Sequence, residues 1–337
     1  MKGMKKIFAY GVALTSLWSG ASSLNAQCCE PCQKLEPWNS ISLSGGWRYD
    51  RITTKMHSSD AVSVSSASRE HLKLKNLNTW QIGGQLHWSI PNLYCEDIWW
   101  LNQFYVRGYA YRGWVTSGRL QNRATDDLVG ITDSHGGKIH KGRTVDGTVG
   151  AGFLYPFCSG WAIGPVGGWS YEQVHVSTRS RGGSSSGSGS DVSSTLLDGI
   201  KNFTSTFRGP WVGFDVAYVY SDCCRDLNLR FEAGYEYHWA TWRGSSRLRG
   251  LDITTTFKGR ERFRSNNAYG NLGYFNAWWL LCDNWELGLG VKYQSWTARR
   301  RHNSSSSSDD SSSRVGRRLR NVDWDNVQVN ADIGYSF

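Results

Sequence analysis

Proline and methionine are scarce in these 337 residues, with 6 and 3 of them, and beyond the N-terminal region no long apolar run occurs. So little proline excludes a collagen-like or proline-rich extended chain. A membrane helix needs about 20 consecutive apolar residues, and no later stretch approaches that. A chain of this kind meeting a membrane must cross it with strands, because in lipid only helices and closed barrels satisfy every backbone group. Chemical signatures are missing too: there is no phosphate-binding glycine loop, no Ser-centred elbow and no His-Glu-x-x-His stretch. No cofactor motif appears. Cys29 and Cys32 have metal-ligand spacing, but no second pair or histidine follows at finger spacing, so no metal site is expected.

What the chain does have is 38 Gly, 18 Trp and 16 Tyr with a net charge of +10, at a mean hydropathy of -0.48. A soluble secreted β protein could share that composition. The N-terminus carries Lys2, Lys5 and Lys6, then an apolar run from Ile7 to Trp18, then Asn25-Ala26. That is the layout of a secretory signal peptide, and the division it gives is 1–26 signal peptide, 27–38 cysteine-rich segment and 39–337 barrel. A basic chain can bind nucleic acid, but an exported one rarely meets it. The anionic partner expected is lipopolysaccharide or a host-surface polyanion.

The clearest strand is the last stretch. Val327, Val329, Ala331, Ile333, Tyr335 and Phe337 share one face, and Gln328, Asn330, Asp332, Gly334 and Ser336 the other. Ten segments alternate in this way: 39–54, 76–90, 98–116, 143–157, 160–177, 205–221, 227–242, 265–281, 285–299 and 320–337. Their connections are alternately short (91–97, 158–159, 222–226, 282–284) and long (55–75, 117–142, 178–204, 243–264, 300–319). Short periplasmic turns and long outer loops define an outer-membrane barrel. The fold class expected is therefore all-β, an antiparallel transmembrane barrel of ten strands, or twelve if 188–204 or 248–260 hides a further pair. The tryptophans fall toward the two strand ends, as aromatic girdles would. Trp38, Trp88, Trp99, Trp100, Trp161, Trp278, Trp279 and Trp285 lie at the short-turn end; Trp80, Trp114, Trp169, Trp211, Trp239, Trp242, Trp296 and Trp324 lie at the other; Trp47 fits neither.

The polar face of these strands supplies the candidate pore lining: Arg48, Asp50, Gln85, Arg107, Asp146, Asp215, Arg230, Glu232, Glu236, Lys292 and Asp332. All eight cysteines fall on the short-turn side: Cys28, Cys29 and Cys32 before the barrel, then Cys95, Cys158, Cys223, Cys224 and Cys282 in the turns. An exported chain allows disulfides there. Adjacent residues sit about 3.8 Å apart at Cα, too close for an unstrained bridge, so each neighbouring pair looks elsewhere for partners. Around the serine run Ser304–Ser308 stand Arg299, Arg300, Arg301, Arg317 and Arg318, a candidate polyanion-binding cluster.

The Phe231-Glu-Ala-Gly-Tyr-Glu-Tyr-His-Trp239 strand, the Cys28-Cys29-Glu-Pro-Cys32 start and the terminal Phe337 resemble the major outer membrane protein-like porins of Chlamydiae. The Legionella-type major porins look similar. The resemblance implies a porin passing small hydrophilic solutes, whose cysteines cross-link it to other cysteine-rich envelope proteins, in the outer membrane among its lipids and lipopolysaccharide. Self-association is open. The alternative from another class is a closed-lumen structural or adhesive barrel binding host polyanions. Omptin proteases are also ten-stranded, with acidic residues facing an Asp–His pair. Asp126-Asp127 and Asp133-Ser-His135 have the right types but share one loop, so no catalytic residue is assigned and no enzyme is expected.

Overall fold

The computed structural model describes residues 38–59, 67–90, 104–126, 132–157, 160–179, 200–222, 227–251, 256–281, 284–299 and 316–337. They form eleven strands: β1 (Asn39–Ser59), β2 (Ala67–Ile90), β3 (Phe104–Asp126), β4 (Thr132–Phe153), β5 (Tyr155–Phe157), β6 (Trp161–Arg179), β7 (Ile200–Asp222), β8 (Leu227–Leu251), β9 (Thr256–Leu280), β10 (Trp285–Arg299) and β11 (Gly316–Ser336). Sequential neighbours pair antiparallel, except that β4 and β5 both pair with β6. β5 resumes the line of β4 along β6 after a break at Leu154, with Gly152 opposite Val166 and Tyr155 opposite Ile163. The eleven strands thus make ten staves, as the alternation predicted. The pairing of β1 with β11 closes the ring, and the Phe337 amide donates to the Asn39 carbonyl at 3.0 Å. Closure gives each of the ten described staves two neighbours to satisfy its backbone.

The ring turns its oily face outward. Along β10 exposure alternates residue by residue. Trp285, Leu287, Leu289, Val291 and Tyr293 are exposed, while Glu286, Lys292 and Gln294 are buried. A soluble barrel would do the reverse, because burying apolar surface is what drives its folding. Here exposed aliphatic side chains form a band that only lipid can cover. Outward-facing Trp88, Trp279 and Trp285 lie toward the short-turn end; Trp80, Trp114, Trp169 and Trp239 lie toward the other.

Two expectations need correction. Trp47 does belong to a girdle: it sits opposite Trp80, which sits opposite Trp114. Conversely, Trp211, Trp242, Trp296 and Trp324 leave the outer belt and Trp278 the inner one, because all five are buried inside the ring, and Trp38 leaves the inner belt by packing against His87 within the mouth. Strand position fixed their height, but a strand has two faces, and height alone does not choose between them. Trp99 and Trp100 lie outside the described residues.

Three of the connections expected to be long loops, 55–75, 117–142 and 243–264, are in large part strand. β1 runs on to Ser59 and β2 starts at Ala67, while β8 and β9 have 25 residues each and occupy most of 243–264. Within 248–260 the described residues continue β8 to Leu251 and begin β9 at Thr256, and so belong to the two staves already counted. About 9–11 residues suffice to cross a bilayer, so the staves outrun the membrane. Beyond Trp239 the outward positions of β8 become Thr241, Arg243 and Ser245. Past the bilayer no lipid demands an apolar face, so the alternation fades while the backbone ladder continues.

Candidate functional site

The interior of the ring is the candidate site. At the short-turn end Trp38, just ahead of β1, stacks on His87 with ring centroids 4.3 Å apart. His87 in turn stacks on Tyr105 at 5.1 Å. The Arg230 guanidinium lies 5.0 Å from the Trp38 ring. It donates to Glu232 at 2.9 Å and to both oxygens of Glu286 at 3.0 and 2.8 Å. The chain thus enters the barrel by laying an aromatic ring across its mouth.

One layer further in, Arg107 donates to Asp215 at 2.7 Å and to Glu236 at 2.7 Å. The hydroxyls of Tyr105 and Tyr274 also donate to Asp215, at 2.5 and 2.8 Å. Glu236 reaches His238 at 3.0 Å, and the other nitrogen of His238 lies 2.9 Å from the Ser170 hydroxyl. At mid-barrel Arg48 is fully buried and bridges Asp50 and Glu172, each at 2.6 Å. Lys292 Nζ donates to Asp146 at 2.5 Å, with the Tyr109 ring centroid 3.8 Å away. Buried ions persist only when paired and hydrogen-bonded, and here neighbours supply the bonds. The indoles of Trp296 and Trp324 donate to Glu172 and Asp50 at 2.7 and 2.8 Å. Asn326 and Gln328 donate to Glu172 and Asp146, each at 3.0 Å.

Those two indoles are also the floor of the next layer. Phe207 has ring centroids 5.1 Å from Trp296, 5.7 Å from Trp324 and 6.5 Å from Trp242. All four side chains are at most 1 % exposed. With Ile52, Leu72, Leu74, Leu77, Val174, Val176 and Val322 they form one apolar cluster across the ring. The lumen therefore has a salt-bridged layer toward the short turns and a packed apolar cluster beyond it. A cavity of about 60 Å³ remains on the short-turn side of that cluster.

All eleven residues assigned to the polar face point inward, and the structure brings them into contact. Arg48 meets Asp50, Arg107 meets Asp215 and Glu236, Arg230 meets Glu232, Lys292 meets Asp146, and Gln85 donates to Asp332 at 3.1 Å. The candidate lining left out Glu172, the tyrosines Tyr105, Tyr109, Tyr111 and Tyr274, and also Glu286 and His238, although the alternation of their strands puts both of these on the polar face. Glu286 shares the parity of Lys292 on β10, which was a usable signal. Glu172 lies on β6, where glycines and serines blur the alternation. Among the described residues the lumen holds Arg48, Arg107, Arg230 and Lys292 against Asp50, Asp146, Glu172, Asp215, Glu232, Glu236, Glu286 and Asp332.

The other candidates fall elsewhere. All eight cysteines, with Arg300 and Arg301, lie outside the described residues. Arg299 is exposed at the end of β10, its guanidinium 5.9 Å from the Tyr269 ring. Arg317 and Arg318 sit on β11 opposite Ser58 and His57 of β1. Ala124 of β3 faces Asp133 of β4, and Asn122 faces His135; Asp127 is outside the described residues. Among the described residues no group of three or more His, Cys, Asp or Glu could hold a metal.

Compared with solved structures, the chain is similar to the outer membrane protease OmpT of Escherichia coli, with 12% identity, a TM-score of 0.56, and 93% of this chain and 100% of that one covered. That likeness is one of fold. A Pseudomonas aeruginosa FadL homologue matches with a TM-score of 0.26 at 8% identity, covering 88% of this chain and 90% of its own. The Ralstonia pickettii toluene transporter TbuX matches with 0.27 at 7%, covering 90% of each chain. A search of curated proteins found no match. The family model described as Protochlamydia outer membrane protein matches residues 42–337. A closed ring with its oily face outward agrees with that description over nearly its whole length, and the chain belongs to the Protochlamydia outer membrane protein family, in the bacterial outer membrane.

Proposed function

We propose that this outer-membrane protein is a closed barrel that displays its long hairpins outside the cell, with a structural and adhesive role. The observation that carries this reading is the seal of Phe207, Trp242, Trp296 and Trp324, each at most 1 % exposed, lying across the lumen above paired charges. Ten staves are near the number at which side chains fill a barrel, and 16–18 are needed for an aqueous channel. The arginines at 299–301, 317 and 318 suit phosphate and sulfate groups, through which lipopolysaccharide or host polyanions would be held. The cysteines gathered toward the short turns support disulfide linkage to other envelope proteins.

A porin passing small hydrophilic solutes is the second reading. What favours it is the polar chamber itself and the likeness to the chlamydial major porins. Planar-bilayer recording of the refolded chain separates the two. The closed barrel should show no discrete conductance steps, and a Phe207→Ala, Trp296→Ala, Trp324→Ala variant should show them. Steps from the unmodified chain would overturn the proposal in favour of the porin.

A further inference from the structure

Beyond the girdle at the long-hairpin end, cations stand in register on neighbouring strands. Lys75 of β2 lies directly opposite Arg119 of β3, which lies opposite Lys138 of β4. The same rung continues to β6, where Arg179 is the partner of Lys138. Arg119 and Lys138 are exposed and Lys75 is half-buried. All three face away from the lumen, because Leu74, Leu120 and Ile139 beside them belong to the apolar cluster inside the ring. Residues directly opposite in an antiparallel pair have β-carbons about 4.5–5.5 Å apart, and like charges so placed repel. Among the described residues no carboxylate pairs with any of the three. Arg51 of β1, by contrast, sits opposite Asp325 of β11.

Below this row the outer surface is graded. Trp80, Trp114 and Arg143 share one rung, and both indoles are exposed in the girdle. Between the two rungs the Asn78 amide donates to the Ser117 hydroxyl at 2.8 Å, a neutral polar step. Arg119 comes five residues after Trp114, about 16 Å along a strand and about 12 Å in height at the tilt of an outer-membrane stave. The headgroup layer of a plain bilayer is only about 5–8 Å deep on each side. A phospholipid phosphate beside the girdle therefore sits well below the row, whereas an anionic group carried on a saccharide headgroup reaches it.

We propose that the Lys75–Arg119–Lys138 row binds a phosphorylated glycolipid of the outer leaflet, whose saccharide phosphates bridge the three cations while its acyl chains lie against Trp80 and Trp114. Arg119 offers a planar fork to two phosphate oxygens, and the lysines add point charges on either side. An anion among them turns their mutual repulsion into attraction. The lipid is thereby held on the β2–β4 side of the barrel, by residues outside the arginine cluster at 299–301, 317 and 318. The inference rests on the long hairpins facing outward, which thiol labelling of intact cells decides separately, and it holds whether the lumen is open or closed.

Rough lipopolysaccharide is the probe. The refolded full chain in dodecylphosphocholine micelles is titrated with it, and in parallel with the same lipid stripped of phosphate, with phosphatidylglycerol and with heparin. A Lys75→Gln, Arg119→Gln, Lys138→Gln variant should bind lipopolysaccharide about tenfold more weakly or worse, the worth of one hydrogen bond to a charged group. An Arg51→Gln, Arg208→Gln, Arg243→Gln variant loses the same charge from exposed positions elsewhere on the ring, and should bind nearly as well as the unmodified chain. The stripped lipid and phosphatidylglycerol should bind the unmodified chain much more weakly. In micelles alone the row variant should melt no lower than the unmodified chain, because it has lost only repulsion. A lower midpoint would show that the row has partners within the chain, and would overturn the proposal. Equal losses in the two triple variants would reduce the effect to net charge. Phosphatidylglycerol binding as tightly as lipopolysaccharide would make the row a site for any anionic lipid, and heparin binding that needs the row as much would make its occupant a soluble polyanion. Each of these results overturns the assignment equally.

Discussion

Between Trp38 and Arg48 nearly every layer of the lumen carries charge; beyond Asp50 and Glu172 the inward positions turn to Ile52, Val174, Val176, Phe207, Trp242, Trp296 and Trp324. Both regions are buried, and both are lined by the same ten staves. They differ in what holds them together. The charged half depends on specific partners, so removing one member strands others. The apolar half depends on filled volume. The indoles of Trp296 and Trp324 join the two, with rings in the cluster and N–H groups on Glu172 and Asp50. The polar chamber therefore has a lid built from its own hydrogen-bond donors.

That contrast can be broken most severely at Arg48. Arg48→Leu keeps a similar bulk but leaves Asp50 and Glu172 without their shared cation. Removing one side of a buried pair costs about 3–5 kcal/mol, so denaturant unfolding of the refolded variant should show a loss of that size. A loss no larger than that of a surface arginine such as Arg243 would mean that the chamber does not depend on its ion pairs. Next comes the outer face. Leu289 is 66 % exposed in mid-strand, and Leu289→Lys should destabilise the barrel in bilayers by about 2–4 kcal/mol, the cost of a lysine at the lipid midplane. Arg243→Leu, beyond the girdle, should change little. Equal tolerance at both sites would contradict the membrane band. The smallest effect on stability should come from cysteines placed at the two ends. With native cysteines replaced by serine, Arg243→Cys should react with an impermeant thiol reagent on intact cells and Leu281→Cys should not. The opposite pattern would invert the barrel.

Much of this molecule is written in period two. Leu287, Leu289 and Val291 on β10, set against Glu286 and Lys292, announce a strand with one oily and one wet face, and repetition over ten segments announces the ring. Facing was legible wherever polar and apolar residues alternate strictly, which is why all eleven candidate lining residues do turn inward. It was not legible in β6, where Gly164, Gly167, Gly168 and Ser170 carry too little contrast to reveal the parity of Glu172. Tryptophan defeated the reading in a different way. An indole suits a lipid interface, an apolar core or a hydrogen bond to a carboxylate, and Trp239 and Trp242 on the same strand take opposite sides.

The sequence by itself determined the strand periodicity, the outward apolar band and the parity of the lumenal charges, because these are properties of neighbouring residues on one strand. Only the tertiary structure decided which charge meets which, that Phe207 joins Trp242, Trp296 and Trp324 in one apolar cluster, and that among the described residues carboxylates outnumber cations inside. Arg48 and Glu172 are 124 positions apart. Their contact depends on ring closure and on the register of every stave between them, and local alternation carries no record of either.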